Sequence, residues 1–157
     1  AAFLLTGELL PLLGRAEAGR VLTVSSGSHF RTRIHWQDVM FRRGYGILKA
    51  YKQSKLANVL FSAEFNRRMV GLARIRAYAV DPGLVNTQIG LKGTSGLEHW
   101  FWGRRAAGGV SPEQAAQTII HLASAPTLED PDAVYWKACR PCRPSRIAQR
   151  EWPYNGV

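Results

Sequence analysis

Tyr51 and Lys55 stand four positions apart in residues 50–65, AYKQSKLANVLFSAEF. On an α-helix this spacing puts both side chains on one face, so both can reach the same small molecule. A cationic lysine beside a phenol favours the phenolate and lowers the pKa of the phenol. A phenol tuned in this way can exchange a proton near neutral pH. The pair is a candidate acid–base site, and the simpler alternative is an exposed helical pair with no chemical role.

Small polar residues follow two candidate strands. Residues 20–25, RVLTVS, are β-branched and apolar, which is typical of a strand buried on both faces of a parallel sheet. This run leads directly into Ser26. A second strand candidate, residues 74–80, ends sharply at Asp81, Pro82 and Gly83. Ligands of open α/β sheets bind at the carboxyl ends of strands. Both places are therefore candidate binding sites, although a plain strand-to-loop turn explains the second equally well.

The order of elements tells how these residues would meet. We predict helices over 3–13, 50–69 and 111–124, and a last short strand over 133–136. Alternating strands and helices imply parallel pairing with right-handed crossovers. Ser26, Tyr51, Lys55 and the loop 82–87 then fall at one edge of the sheet. This arrangement favours hydride chemistry on a carbonyl or alcohol: Ser26 holds the substrate oxygen, Tyr51 exchanges its proton, and Lys55 tunes the phenol and holds a cofactor ribose.

The central helix is apolar on two sides. One stripe can pack on the sheet, and the other, around Phe61 and Phe65, needs a second cover such as another subunit. The first stripe consists of Leu56, Val59, Leu60 and Ala63. The third helix begins at Ser111 as a cap with Pro112 in the first turn. Its inward residues are predicted to be Ala115, Ile119, Leu122 and Ala123.

The composition is that of an ordinary globular domain. The chain has 157 residues, of which 46% are hydrophobic and 20% charged, which is enough for a single core. No run approaches the roughly 18 apolar residues of a membrane span. The opening stretch lacks the basic start of a signal peptide. Because the chain has no initiator Met, we expect a fragment of a longer protein. We expect a cytoplasmic location and leave membrane association open.

The formal charge of +10 raises the question of an anionic partner. The basic residues are scattered along the sequence, so we predict no nucleic-acid binding, while anionic cofactor phosphates remain a candidate partner. Cys139 and Cys142 lie between prolines with no second pair of cysteines, which predicts free thiols and no metal site. Residues 137–157 are predicted to form a basic surface tail. The loop 88–109 carries an aromatic knot that suits a substrate lid, a partner or membrane surface, or plain packing.

Three sequence motifs resemble those of the short-chain dehydrogenase/reductases. They are VSSGSH, AYKQSKLANVLF and DPGLVNT, and the SKLANVLF string with the 25-residue step from Ser26 to Tyr51 is similar to the retinol dehydrogenase-like branch. The resemblance implies a Rossmann-type doubly wound parallel sheet. It assigns Ser26 as the catalytic serine, Tyr51 as the acid–base residue and Lys55 as its ribose-binding partner. The nicotinamide loop corresponds to Pro82, Gly83, Val85 and Thr87.

The resemblance also implies an activity, and some motifs of the family have no counterpart in this sequence. The expected activity is NAD(P)-dependent oxidation or reduction of lipophilic alcohols, aldehydes or ketones, with dimerisation through helices 3–13 and 51–69. The family's glycine-rich turn, TGxxxGxG, has no counterpart in these residues, and neither has its NxAG segment. We therefore expect the C-terminal half of the fold without its cofactor-binding half, and no activity of this chain alone. The alternative is a non-catalytic subunit or interaction module that pairs through its exposed helices.

Overall fold

A computed structural model describes residues 2–72, 74–85 and 108–149 of the chain. In these ranges the chain forms four helices, four strands and two short 3-10 turns. The helices are α1 Ala2–Leu13, α2 Ile47–Met69, α3 Pro112–Ser124 and α4 Arg146–Gln149. The strands are β1 Gly19–Val24, β2 Ile75–Asp81, β3 Tyr135–Lys137 and β4 Arg140–Cys142, and the 3-10 turns are Gly27–Arg31 and Trp36–Asp38.

The strands form one open sheet in the order β1-β2-β3-β4. β1 pairs with β2 in parallel from Gly19 opposite Ile75 to Val24 opposite Val80. β2 pairs with β3 in parallel over its last three residues, and β4 turns back antiparallel to β3. A parallel pair needs a crossover, which α2 supplies between β1 and β2. The predicted α/β class with a parallel sheet is confirmed.

β2 carries the core on both of its faces. Tyr78 and Val80 pack with Leu122 and Trp136 on the α3 side, and Ala79 packs with Val59 and Tyr135 on the α2 side. Successive residues of a strand point to opposite faces, so one strand serves both layers.

β1 is less covered than its sequence indicates. Val24 is 42% exposed and Val21 and Leu22 are half-buried, so the prediction of a strand buried on both faces is wrong for β1. The physical reason is its position: within the described ranges β1 pairs with β2 alone and forms an edge of the sheet.

The predicted helices are present with small differences. α2 begins three residues earlier than expected and ends at Met69, before Gly71 with its φ of +74°. The hydroxyl of Ser111 accepts the N–H of Gln114, and the Gln114 side chain accepts the N–H of Ser111, which completes a capping box at α3. Ala123 is exposed, so its inward placement is wrong; Thr118 is buried instead and accepts the N–H of Cys139.

The predicted basic tail is folded over residues 137–149. Ala138 and Cys139 adopt positive φ values of 50° and 60° and reverse the chain, which lets β4 return along β3. Ser145 is buried, whereas Arg140, Arg143 and Arg146 are exposed, so this part is folded and keeps its basic residues at the surface. Residues 150–157 lie outside the described ranges. Both cysteines are free, and the described residues contain no group of three potential metal ligands among His, Cys, Asp and Glu.

The second apolar side of α2 is covered in part by the chain itself. The ring of Phe3 in α1 meets the ring of Phe61 edge-on, with 6.3 Å between centroids. Phe61 in turn lies 5.9 Å from Phe65. The remainder of α1 is open, with Phe3, Leu4 and Leu5 each more than 60% exposed. Of the helices that the structure describes, none has the length and apolarity needed to cross a bilayer.

Candidate active site

Hydrogen bonds hold helix α2 against the carboxyl end of β1. The Lys55 ammonium donates to the carbonyl of Val24 at 3.1 Å, and the Asn58 amide donates to the same oxygen at 3.0 Å. The hydroxyl of Ser25 donates to the backbone carbonyl of Lys55 at 2.9 Å. Three hydrogen bonds therefore fix the third and fourth turns of α2 to the point where β1 ends.

Tyr51 and Lys55 lie together on that helix. The Lys55 nitrogen is 5.4 Å from the centre of the Tyr51 ring, within the range of a cation–π contact. Partial burial lowers the pKa of Lys55, since the charged ammonium loses part of its hydration. Tyr51 is 37% exposed, and its hydroxyl makes no hydrogen bond within the described ranges. The phenol ring thus lies beside a cation, and no residue of the described ranges engages its hydroxyl.

Two serines, Ser25 and Ser26, directly follow β1, and Ser26 is the more accessible of them. Ser25 is 1% exposed and its hydroxyl is used by α2. Ser26 is half-buried and caps the first 3-10 turn, with its oxygen accepting the N–H of Ser28 at 3.2 Å. Its hydroxyl makes no direct hydrogen bond to Tyr51 in this structure. The Ser26 hydroxyl instead donates to the hydroxyl of Ser28 at 3.4 Å.

The loop after β2 lies at the same edge. Because Val24 pairs with Val80, Ser25 and Asp81 follow at matching positions, and a Cβ on Gly27 would stand 3.3 Å from a carboxylate oxygen of Asp81. Pro82 and Gly83 come next, with Gly83 at a φ of +80°, a conformation that favours glycine. Val85 bridges to Val110. Thr87 and residues 88–107 of the predicted lid lie outside the described ranges.

Sequence reasoning placed Asp81 at the end of the strand but missed that its side chain organises this loop. Its side chain is buried; one carboxylate oxygen accepts the N–H of Gly83 at 2.9 Å, and the other accepts the hydroxyl of Tyr135 at 2.8 Å. Lys137 adds an ion pair at 3.8 Å. Burial and the bond to the carboxylate raise the pKa of Tyr135. An aspartate directly before Pro-Gly was an available signal, since Asp side chains commonly accept the N–H two residues on.

His29 was missed as well. It is fully buried, and its Nε2 accepts the backbone N–H of Ser145 at 3.1 Å. Because Nε2 is an acceptor, Nδ1 carries the proton and donates to the carbonyl of Ser26 at 2.8 Å. Desolvation lowers the pKa of His29, and the bond to Ser26 and the charge of Asp81 oppose this effect. No sequence signal pairs His29 with a residue 116 positions away.

Curated relatives match almost the whole chain. Human retinol dehydrogenase 11 is 34% identical over 156 residues, which are 96% of this chain and 48% of that protein. Human polyprenol dehydrogenase is 34% identical over 139 residues, 81% of this chain and 40% of that protein. The chain belongs to the short-chain dehydrogenase/reductase family. It spans about half the length of the curated relatives that it matches.

Two solved structures superpose on this chain. An uncharacterised protein of Mycobacterium paratuberculosis superposes with a TM-score of 0.65 and 30% identity over 94% of this chain and 49% of its own. A proposed short chain dehydrogenase from Pseudomonas syringae has a TM-score of 0.55 and 22% identity over 87% of this chain and 46% of its own, and supports the fold alone. None of the protein-family models compared with the chain matches it.

Proposed function

We propose that this short-chain dehydrogenase/reductase takes part in NAD(P)-dependent hydride transfer on lipophilic alcohols, aldehydes or ketones, with Ser26, Tyr51 and Lys55 as its catalytic residues. The observation that carries the proposal is the contact of Lys55 with both the Tyr51 ring and the end of β1. The names of the relatives, retinol and polyprenol dehydrogenases, support an alcohol of a long apolar molecule as substrate. The activity is proposed for the whole protein that contains these residues.

Each of the three side chains has a separate task in this proposal. The Tyr51 hydroxyl gives a proton to the substrate oxygen during reduction and takes one back during oxidation. Lys55 stabilises the phenolate form by its positive charge. Ser26 donates its hydroxyl to the substrate oxygen and so orients the carbonyl beside the phenol.

The residues present fit one end of a nicotinamide cofactor. When bound, NAD or NADP supplies or accepts the hydride. Lys55 offers an ammonium to a ribose hydroxyl, and the loop with Pro82, Gly83, Val85 and Thr87 offers backbone groups to the nicotinamide. The desolvated position of Lys55 and the positive φ of Gly83 are consistent with a close approach of a ligand. The sequence holds no glycine-rich turn of the TGxxxGxG form for the pyrophosphate, and NAD and NADP are both kept as candidates.

The test is turnover by the longest protein product of the reading frame that contains residues 1–157. It is incubated with NAD or NADP and a panel of alcohols of increasing chain length, and reduced cofactor is followed at its absorbance maximum. We expect turnover of long apolar alcohols and little turnover of short polar ones. Absence of turnover with every alcohol, aldehyde and ketone of the panel, from a protein shown to be folded, would contradict the proposal.

The 157-residue chain alone is proposed to be inactive. A nicotinamide cofactor gains much of its affinity from a glycine-rich turn at a helix N-terminus, which these residues lack. Titration of the purified chain with NADPH should give no saturable binding at micromolar concentration. Micromolar binding would show that the 82–87 loop and Lys55 suffice by themselves.

A second candidate function is pairing with another subunit without catalysis. The observation that favours it is the open apolar side of α1, where Phe3 is 77% exposed and Leu4, Leu5 and Leu12 are also exposed. Such a helix commonly marks an interface. Size-exclusion chromatography with light scattering tests this: a monomer at micromolar concentration, and no complex with the longest gene product, would leave this function unsupported.

A further inference from the structure

Basic side chains converge on a groove at the beginning of α2. The groove has a volume of about 510 Å³ and lies between residues 31–35, the first turns of α2 and helix α4. Its cationic lining residues are Arg31, Arg33, Lys49 and Lys52, and Leu48 and Ile147 form its apolar part. Residues that are scattered in the sequence are thus gathered on one surface by the fold.

The positive charge of this groove is not neutralised by the chain. No Asp or Glu lines it, and none of its four cationic side chains forms an ion pair within the described ranges. From Ser28 to Lys55 the sequence has seven Lys or Arg residues against one carboxylate, Asp38. Both oxygens of Asp38 are already engaged, because they accept the backbone N–H groups of Arg42 and Arg43 at 2.8 Å.

The helix end adds to the positive potential. α2 has no acidic residue in its first turn, and Gly46 at the N-cap provides no side-chain cap. A helix N-terminus carries a partial positive charge and exposes unpaired N–H groups, so Lys49 in its first turn is unfavourable by itself. An anion in the groove is attracted both by the helix end and by the lysines.

Exposed apolar residues occur in the segments that adjoin the lining of this groove along the chain. Ile47 and Leu48 are 48% and 44% exposed in the first turn of α2. Gln53 of α2 accepts the N–H of His35 and donates to the carbonyl of Val39, both at 2.8 Å, which ties the segment from His35 to Val39 to α2. Met40 in that segment is 75% exposed, and Tyr45 shortly before the helix is 67% exposed. A soluble phosphate would leave these side chains in water.

We infer that this face docks on membranes that carry anionic lipids. The lipid phosphates enter the basic groove, and Met40, Tyr45 and Ile47 enter the interfacial region. Basic clusters gain about 1 kcal/mol per Lys or Arg near an anionic membrane surface, and amphipathic side chains add apolar burial. This inference concerns binding alone and does not rest on the proposed catalytic activity.

The test is co-sedimentation of the purified chain with phosphatidylcholine vesicles, with and without phosphatidylserine. We expect binding only to the anionic vesicles, weakened by salt. The double variant Arg33→Gln/Lys52→Gln should bind about 25-fold more weakly, at about five-fold for each charge removed. The matched control Arg15→Gln/Arg74→Gln removes the same charge at the opposite edge of the sheet and should stay within about two-fold of the unsubstituted chain.

A second variant tests the apolar part without changing charge. Met40→Gln should weaken binding to anionic vesicles and leave the far-ultraviolet circular dichroism unchanged. Equal binding to neutral vesicles, or equal losses in the groove variant and its control, would overturn the inference. Displacement of the chain from vesicles by an equimolar amount of inorganic phosphate would identify a soluble anion as the ligand. Binding of the chain to duplex DNA in preference to vesicles would identify a nucleic acid. Either result also overturns it.

Discussion

The imidazole of His29 joins Ser26 to the residue that directly precedes α4. Nδ1 donates to the Ser26 carbonyl at 2.8 Å, while Nε2 accepts the N–H of Ser145 at 3.1 Å. The His29 ring also lies 4.7 Å from the ring of Tyr135. The position of the candidate catalytic serine therefore depends on a neutral, buried histidine and on residues near the end of the described chain.

The first prediction is a loss of stability at mildly acidic pH. Burial lowers the pKa of His29 below its usual 6.5, so the unfolded state binds a proton more readily than the folded state. The stability from neutral His29 is thus present above about pH 6.5 and is lost as the pH falls towards the lowered pKa. The melting temperature should fall over this window, and His29→Gln should have a shallower slope.

The control for this prediction is His121→Gln, which removes a histidine outside the Ser26–Ser145 link. This variant should keep the slope of the unsubstituted chain. If His29→Gln and the unsubstituted chain lose stability in parallel between pH 7 and 5, protonation of His29 is not the cause.

The second prediction concerns Asn66, whose side-chain amide makes the hydrogen bonds to β2 that a neighbouring strand would otherwise make. Its amide donates to the carbonyl of Ala77 at 2.9 Å and accepts the N–H of Ala77 at 2.6 Å. β3 pairs with β2 only from Ala79 onward, so these backbone groups have no strand partner on that side. Asn66→Ala should lower the free energy of unfolding by about 2–3 kcal/mol, measured by urea denaturation.

Asn58→Ala on the same helix is the matched control for Asn66. The carbonyl of Val24 that Asn58 binds also accepts Lys55 and lies at an exposed place. This loss should therefore be below about 1 kcal/mol. Equal losses in the two variants would mean that the bonds to Ala77 have no special role in β2.

The third prediction compares two buried tyrosines. Tyr135 donates to the Asp81 carboxylate at 2.8 Å, whereas Tyr78 donates to the neutral carbonyl of Pro131 at 3.2 Å. Hydrogen bonds to charged groups contribute more, so Tyr135→Phe should lower the free energy of unfolding by about 2 kcal/mol and Tyr78→Phe by about 1 kcal/mol. A double-mutant cycle with Asp81→Ala should give a coupling energy for Tyr135 alone. A coupling to Tyr78 of equal size would contradict this account.

Local sequence features predicted the parts of the structure that are local. The Tyr51–Lys55 spacing, the Ser111 cap and the Pro82–Gly83 turn each depend on residues within four positions, and the structure contains all three features. The strand 20–25 was also found at nearly its predicted place. Its burial was predicted wrongly, since coverage depends on neighbouring strands that a single run of residues does not reveal.

Contacts between distant residues were the part that sequence reasoning missed. His29 with Ser145 and Asp81 with Tyr135 are 116 and 54 positions apart. Either pair becomes recognisable only when the hairpin of β3 and β4 brings residues 135–145 back to the strand ends. The same holds for the groove at α2, whose cations come from two separate stretches. The roles of Ser26, Tyr51 and Lys55 remain predictions.

The most direct test of the catalytic proposal compares two tyrosine variants of the longest gene product. Tyr51→Phe removes a hydroxyl that makes no hydrogen bond within the described ranges, and Tyr78→Phe removes one from a buried tyrosine on the α3 side of the sheet. With a long-chain alcohol and NAD or NADP, kcat/KM of Tyr51→Phe should fall about 10²–10⁴-fold, while Tyr78→Phe keeps its rate. A Tyr51→Phe enzyme with unchanged kcat/KM would contradict the account.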